Sequence, residues 1–163
     1  MPRSATDAET RIARDDHVAI RLWLRMLATN RLIEMRTRRL LQERFATTLP
    51  RFDLMAQLER VPGGLKMGEL SKRMMVTGGN VTGITDMLEQ EGLVERVDDP
   101  EDRRAWLVRL TPAGRRNFAG MAREHERWVV EAFGALGARE MTMMAGFLGR
   151  LKTHVRSLEG RDT

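Results

Sequence analysis

The sequence predicts a mainly α-helical chain with one small β-hairpin, and three observations carry that prediction. Long stretches hold apolar residues at three- and four-residue spacing, the period of an amphipathic helix. One short region switches to a strand pattern, with Leu93, Val94 and Val97 before a charged tip and Trp106, Val108 and Leu110 alternating after it. Immediately before that hairpin, two short helical patterns are joined by a very short turn.

Taken in order, residues His17 to Phe45 contain neither Gly nor Pro and place Ile20, Trp23, Leu24 and Leu27 at helical spacing, which predicts a long first helix. Leu49, Pro50 and Arg51 mark a break. Phe52, Met55, Ala56 and Glu59 begin a short second helix, which Pro62, Gly63 and Gly64 end. The next helix is expected from about Lys66 to Met75, with Met67, Leu70, Met74 and Met75 on one face. Thr77 serves as N-cap for the following helix, in which Val81, Ile84 and Leu88 share a face, and Gly92 stands where a helix commonly stops. Asp98, Asp99 and Pro100 supply the turn chemistry of the hairpin. After it, Phe118, Met121, Ala122, Trp128, Val129, Ala132, Phe133 and Leu136 define a long amphipathic helix. Gly137 separates this from a last helix carrying Met141, Met144, Ala145, Leu148, Leu151, Val155 and Leu158.

Helix, short turn, helix and hairpin, in that order, match a winged helix-turn-helix. In that motif the second helix enters the major groove while the hairpin tip approaches the neighbouring minor groove or the backbone. A surface hairpin with solvated charges is the alternative for the hairpin alone. The ordered set is far more specific than either part.

The run ELSKRMMVTGGNVTGITDMLEQEGLVERVDDPEDRRAWLVRLTPAG, positions 69 to 114, resembles the MarR family of bacterial transcriptional regulators. DPEDRR followed by LTPAG carries the family's Asp-x-Arg wing signature and its Leu-Thr-x-x-Gly entry into the next helix. The resemblance implies a homodimeric DNA-binding regulator, often a repressor that a small molecule releases. It also implies a single domain over residues 17–159, with the winged motif at about 50–112, dimerisation helices at about 17–45 and 112–159, and mobile tails at 1–16 and 160–163. Two-fold symmetry would present two recognition helices to successive major grooves on a pseudo-palindromic site.

Composition narrows the classes independently. The 163 residues are 42% hydrophobic, enough for a real core, and zero cysteines exclude disulfides, thiolate zinc sites and a thiol redox switch in this chain. No membrane-length apolar run or signal-peptide core is present in the sequence, so a cytoplasmic protein without membrane partners is expected. His17, His125 and His154 are far apart, and neither a metal-ligand spacing nor a nucleophile triad accompanies them. An enzyme and a cofactor are therefore not expected. A protein-binding winged-helix module is the remaining alternative.

The net charge of +5 is compatible with a polyanionic partner, and its distribution is informative. Eight arginines between Arg21 and Arg51 face only Glu34 and Glu43, whereas the expected recognition helix carries Asp86, Glu89 and Glu91 with no Lys or Arg. Side chains of that helix cannot supply counterion release. Its N-terminus can still approach phosphate, because free backbone N–H groups and the glycines Gly78 and Gly79 lie there, beside Thr77. Thr82 is the leading candidate for a direct base contact, and Asn80, toward the inward side of the helical wheel, is a second. Capping or packing is the alternative for both. Gly83 stands where many family members have a basic residue. Lys66, Ser71, Lys72 and Arg73, on or beside the preceding helix, and Arg103 and Arg104 in the wing are the expected phosphate and groove contacts. By resemblance, Asp102 would brace the wing and leave Arg104 to enter the minor groove; the alternative is a local Asp102–Arg104 surface pair.

By resemblance again, an effector pocket would lie between the dimerisation helices and the DNA-binding lobe. Trp23, Met26, Leu27, Arg51, Phe52 and Met55 are its candidate lining, and a small aromatic acid or its coenzyme A thioester is the family-based ligand class. Trp23 and Phe52 could stack on a ring and Arg51 could pair with an anion. Core packing or subunit contacts are the alternative for each.

Overall fold

A computed structural model describes residues 17–74, 78–102 and 105–160. Its elements are α1 (Val18–Phe45), α2 (Leu49–Glu59), β1 (Leu65–Lys66), α3 (Met67–Met74), α4 (Gly78–Gln90), β2 (Val94–Asp98), β3 (Trp106–Leu110), α5 (Pro112–Ala132) and α6 (Ala138–Glu159). They gather into two compact units that divide between Glu124 and His125, within α5. The expected tails lie outside the described residues, except Gly160.

The first unit is built on an apolar core to which every short element contributes. Leu54, Met55 and Leu58 of α2, Leu70 of α3, Val81 and Leu88 of α4, and Val108 of β3 are each no more than 1% exposed. Phe52 packs on Phe118 of α5 with ring centroids 5.4 Å apart. Leu49 and Pro50 open α2 instead of breaking the chain: proline within the first helical turn needs no N–H partner, and its fixed φ suits the helix start. The turn before them closes α1, with Ala46 in the left-handed region at φ 50° and Thr47 N–H donating to Leu41 O at 3.4 Å.

A third strand joins the hairpin. The sheet order is β1-β3-β2, all antiparallel, with Leu65 opposite Val108 and Val94 opposite Leu110. Lys66 therefore ends a strand and does not begin a helix. Gly64 makes this strand possible: its φ is +99°, and a Cβ there would meet Val108 O at 2.9 Å. Two residues are too few to display alternation, which is why the pattern hid β1.

The Leu-Thr-x-x-Gly signature also acquires a physical cause. Thr111 Oγ1 donates to Gly92 O at 2.7 Å and accepts from Gly114 N–H at 3.0 Å, capping α5 and tying it to the end of α4. A Cβ at Gly114 would stand 1.9 Å from Leu93 O, so only glycine lets this helix start so close to β2. α5 ends at Ala132, and Phe133 and Leu136, expected on it, lie in the turn before α6.

Candidate nucleic-acid interface

α4 is fixed by its inward face. Val81, Thr85 and Leu88 are buried, and the Thr85 hydroxyl is satisfied by Val81 O at 2.8 Å, with Met67 Sδ at 3.8 Å. Thr85 is a buried polar residue that the apolar periodicity passes over. The outward face carries Gly78, Gly79, Asn80, Thr82, Gly83 and Asp86, all exposed. Asn80, expected toward the inward side, is instead exposed to solvent. Thr82 Oγ1 donates to Gly78 O at 3.1 Å, which leaves its lone pairs and methyl group outward. A Cβ added at Gly79 or Gly83 would touch nothing within 4 Å. Thr77, Arg103 and Arg104 lie outside the described residues.

The acids of α4 are neutralised from other elements. Arg96, on β2, pairs through Nη2 with Asp86 and through Nη1 with Glu89, and its backbone N–H donates to Glu89 Oε1 at 3.2 Å. Arg51, on α2, pairs with Glu91. The hydrogen bond that the Arg96 guanidinium donates to Asp86 is the leading reason that it is held firmly in its charged form. Three carboxylates that would repel phosphate are thereby matched by two guanidiniums. A charge count along α4 alone misses this, because the partners lie seven residues from Glu89 and forty from Glu91.

At the wing tip the buried carboxylate is Asp99, 4% exposed. Its Oδ1 accepts from Glu101 N–H at 2.9 Å and its Oδ2 pairs with Lys66 Nζ at 2.8 Å. The Lys66 bond, then the Glu101 N–H, hold the Asp99 carboxyl below the usual carboxylate range. Asp102 closes the tip through its main chain, its N–H donating to Asp99 O at 3.3 Å and its C=O accepting from Ala105 N–H at 2.9 Å. Lys66, expected to face phosphate, is thus engaged in bracing the wing. Of the α3 candidates, Ser71 donates to Met67 O at 3.1 Å, Arg73 pairs with Glu69 at 2.6 Å, and Lys72 is exposed. Trp106 shares the alternation of Val108 and Leu110 but is 56% exposed, since it opens the strand at the wing end, before the chain reaches the core.

The MarR family profile matches residues 47–106. A MarR family transcriptional regulator from Silicibacter pomeroyi of known crystal structure is 32% identical, with 86% of this chain and 99% of that chain covered and a TM-score of 0.72. The chain belongs to the MarR family. It is a DNA-binding transcriptional regulator, not an enzyme. Among curated relatives, the uncharacterized HTH-type transcriptional regulator YdgJ of Bacillus subtilis is 30% identical over 95 residues, a match spanning 58% of either chain. The MarR-type fold is shared with Sco3205 of Streptomyces coelicolor, a structure in complex with DNA that is 22% identical over 86% of this chain and 89% of that one, with a TM-score of 0.74.

The MarR-based list of effector-lining residues does not converge within this chain. Phe52 and Met55 are core residues at 5% and 1% exposure, and Arg51 is occupied by Glu91. Trp23 is 59% exposed and, with Met26 and Leu27, lies on the N-terminal half of α1. The buried residues of α1 are Thr37 and Leu41, the nearer one about 21 Å farther along the helix at 1.5 Å per residue. The packed end of α1 is therefore the other end. His125 is half-buried with its ring edge-on to Trp128, 6.5 Å between centroids, and burial lowers its pKa. His154 is exposed on α6. No group of three metal-ligating side chains is found among the described residues, nor any helix long and apolar enough to cross a membrane.

Proposed function

We infer that this MarR-family protein acts as a homodimeric, ligand-responsive repressor that places α4 of each subunit in a major groove of a pseudo-palindromic operator. The observation that carries the DNA-facing assignment is the outward face of α4, where small residues and Thr82 stand clear while Arg96 ties back the acids. Gly78, Gly79, Asn80 and Thr82 are the groove-facing set, with Ser71, Lys72 and Arg73 toward phosphate. Arg103 and Arg104 would be the wing's DNA contacts, Arg104 in the minor groove, on a tip braced by Asp99 and the Asp102 main chain.

What α6 leaves in water supports dimerisation. Met141, Met144, Phe147, Leu148, Leu151, Val155 and Leu158 are each between 39% and 54% exposed on this one helix, an apolar stripe that a second copy would cover. Half-sites would then lie about one helical turn, ~34 Å, apart. An effector such as a small aromatic acid or its coenzyme A thioester would release DNA by favouring a spacing of the two α4 helices that the operator cannot match.

Footprinting on DNA upstream of the protein's own gene, together with light scattering of the free protein, tests this. Two protected half-sites and a dimer mass are expected. A stable monomer at micromolar concentration, or binding that ignores salt, would refute it.

A further inference from the structure

The C-terminal end of α4 is gripped from α2 by a side chain that reaches no DNA-facing surface. Arg51, in the first turn of α2, has a side chain only 15% exposed and pairs through Nη2 with Glu91, the residue just past the end of α4. Its Nε is buried without a partner among the described residues, so Glu91 is what holds the guanidinium in place. We propose that Arg51 is a positioning residue for DNA binding: by anchoring Glu91 to α2 it fixes the direction in which α4 presents its groove-facing N-terminal half. The proposal rests on the DNA-binding reading of α4 and adds to it a determinant of specificity that touches no DNA.

Such a pair could cancel charge or fix orientation, and distance decides between the two. Glu91 still bonds into the last turn of α4, its N–H donating to Met87 O at 3.2 Å, and it lies about 13.5 Å along the helix from Thr82 at 1.5 Å per residue. Charges in physiological salt are largely screened beyond ~8 Å. Asp86 and Glu89 stand nearer the groove-facing residues, and Arg96 already engages both. Neutralising Glu91 therefore does little for that face, whereas moving it does much. A tilt of only about 5° about the C-terminal end displaces Gly78, ~18 Å up the helix, by ~1.6 Å, enough to break a hydrogen bond to a base edge.

The other restraints on α4 leave that tilt open. Val81 and Leu88 set its depth through apolar contacts, which are non-directional. Leu93 N–H donates to Leu88 O at 2.9 Å and Thr111 Oγ1 to Gly92 O at 2.7 Å, but these bonds close the helix end onto the start of α5 and not onto α2. Arg96 supplies a directional contact from β2, and Arg51 supplies the one from α2. A cation at this end also suits the negative pole of the helix dipole.

Glu91→Gln, Arg51→Gln, the double variant and Arg51→Lys in the full chain test this by anisotropy titration on the protein's own upstream DNA and on an unrelated duplex of equal length, across a salt series, with thermal melts giving the folded fraction. Charge cancellation and fixed direction predict opposite signs for Glu91→Gln, which removes a negative charge. With direction at stake it should bind its own DNA about 10-fold more weakly, the worth of one base contact, and the unrelated duplex as wild type does. Arg51→Gln should lose as much, the double variant should do no better than either, and the slope of log affinity against log salt should hold, because no phosphate contact is lost. Arg51→Lys keeps the ion pair and should keep the preference for its own DNA. The double variant buries no unpaired charge, so it reports even where a single variant does not fold. Wild-type preference in the double variant, or tighter binding by Glu91→Gln, would overturn the positioning role in favour of charge cancellation. A lowered melting temperature with wild-type preference would make the pair a stability contact alone and overturn it as well. Wild type that binds both duplexes equally, or neither, would instead remove the reading of α4 on which the proposal rests.

Discussion

Replacing Arg96 with glutamine tests whether charge carried on β2 is what makes α4 acceptable to DNA. Its two pairs bury little: Asp86 is 50% exposed and Glu89 38%, against 24% for Arg96. Each pair is therefore worth about 0.2–1 kcal/mol to folding, and the variant should lose about 1 kcal/mol, a fall in Tm of about 3–5 °C for a unit of this size. The effect on DNA should be larger. Removing one positive charge leaves two carboxylates on or beside the outward face, and a unit charge about 8 Å from a phosphate contributes roughly 0.5 kcal/mol in water and 2 kcal/mol at an effective dielectric of 20. Affinity should accordingly fall about 2- to 30-fold at low salt, and the gap from wild type should close toward ~1 M salt, where charges beyond about 3 Å are screened. The decisive comparison is with D86N/E89Q/R96Q, in which the carboxylates are neutralised as well. If Arg96 acts by cancelling charge, the triple variant recovers most of the lost affinity. Wild-type affinity in folded R96Q, or a triple variant that binds no better than R96Q, would refute the mechanism.

Other outcomes follow from single contacts. Gly83→Ala should raise stability by about 0.5–1 kcal/mol, because a Cβ there meets only open space and alanine loses less entropy than glycine in a helix; thermal melts check this. Gly114→Ala should cost about 1–3 kcal/mol or more, since its Cβ would lie 1.9 Å from Leu93 O and the start of α5 would have to shift. Asp99 has a folded pKa below its unfolded value, so its stabilisation is complete above pH ~4 and is lost as pH falls through the lower, folded value. Melts of wild type and Asp99→Asn between pH 2 and pH 6 should therefore converge at the acid end and diverge above it.

Much of the architecture was legible in the sequence because it is local. Val81, Ile84 and Leu88 announce α4 through spacing alone, and the alternation of Val108 and Leu110 announces β3. The elements that escaped depend on distant partners. β1 exists because Gly64 allows the chain to approach Val108, more than forty residues away, and two strand residues carry no period of their own. The site was divided in the same manner. Exposed small residues at the start of α4 follow from the helical wheel, whereas its neutralisation by Arg96 and Arg51 requires knowing which strand and which helix lie alongside.

The wing shows how burial resolves what composition leaves open. Four acids, Asp98, Asp99, Glu101 and Asp102, crowd its tip, and any of them could serve as the brace on charge alone. Only Asp99 is buried, and it is buried because β1 runs beside β3 and brings Lys66 to its carboxylate at 2.8 Å. A strand too short for its own period thus decides which acid is inward. The remaining acids stay toward solvent, and the segment from Leu93 to Arg116 has six arginines to five acids, a net of only +1. Bulk charge therefore cannot hold this wing on DNA. Its contribution has to come from placement: Lys66 fixes Asp99, and Asp99 fixes the turn that follows β2.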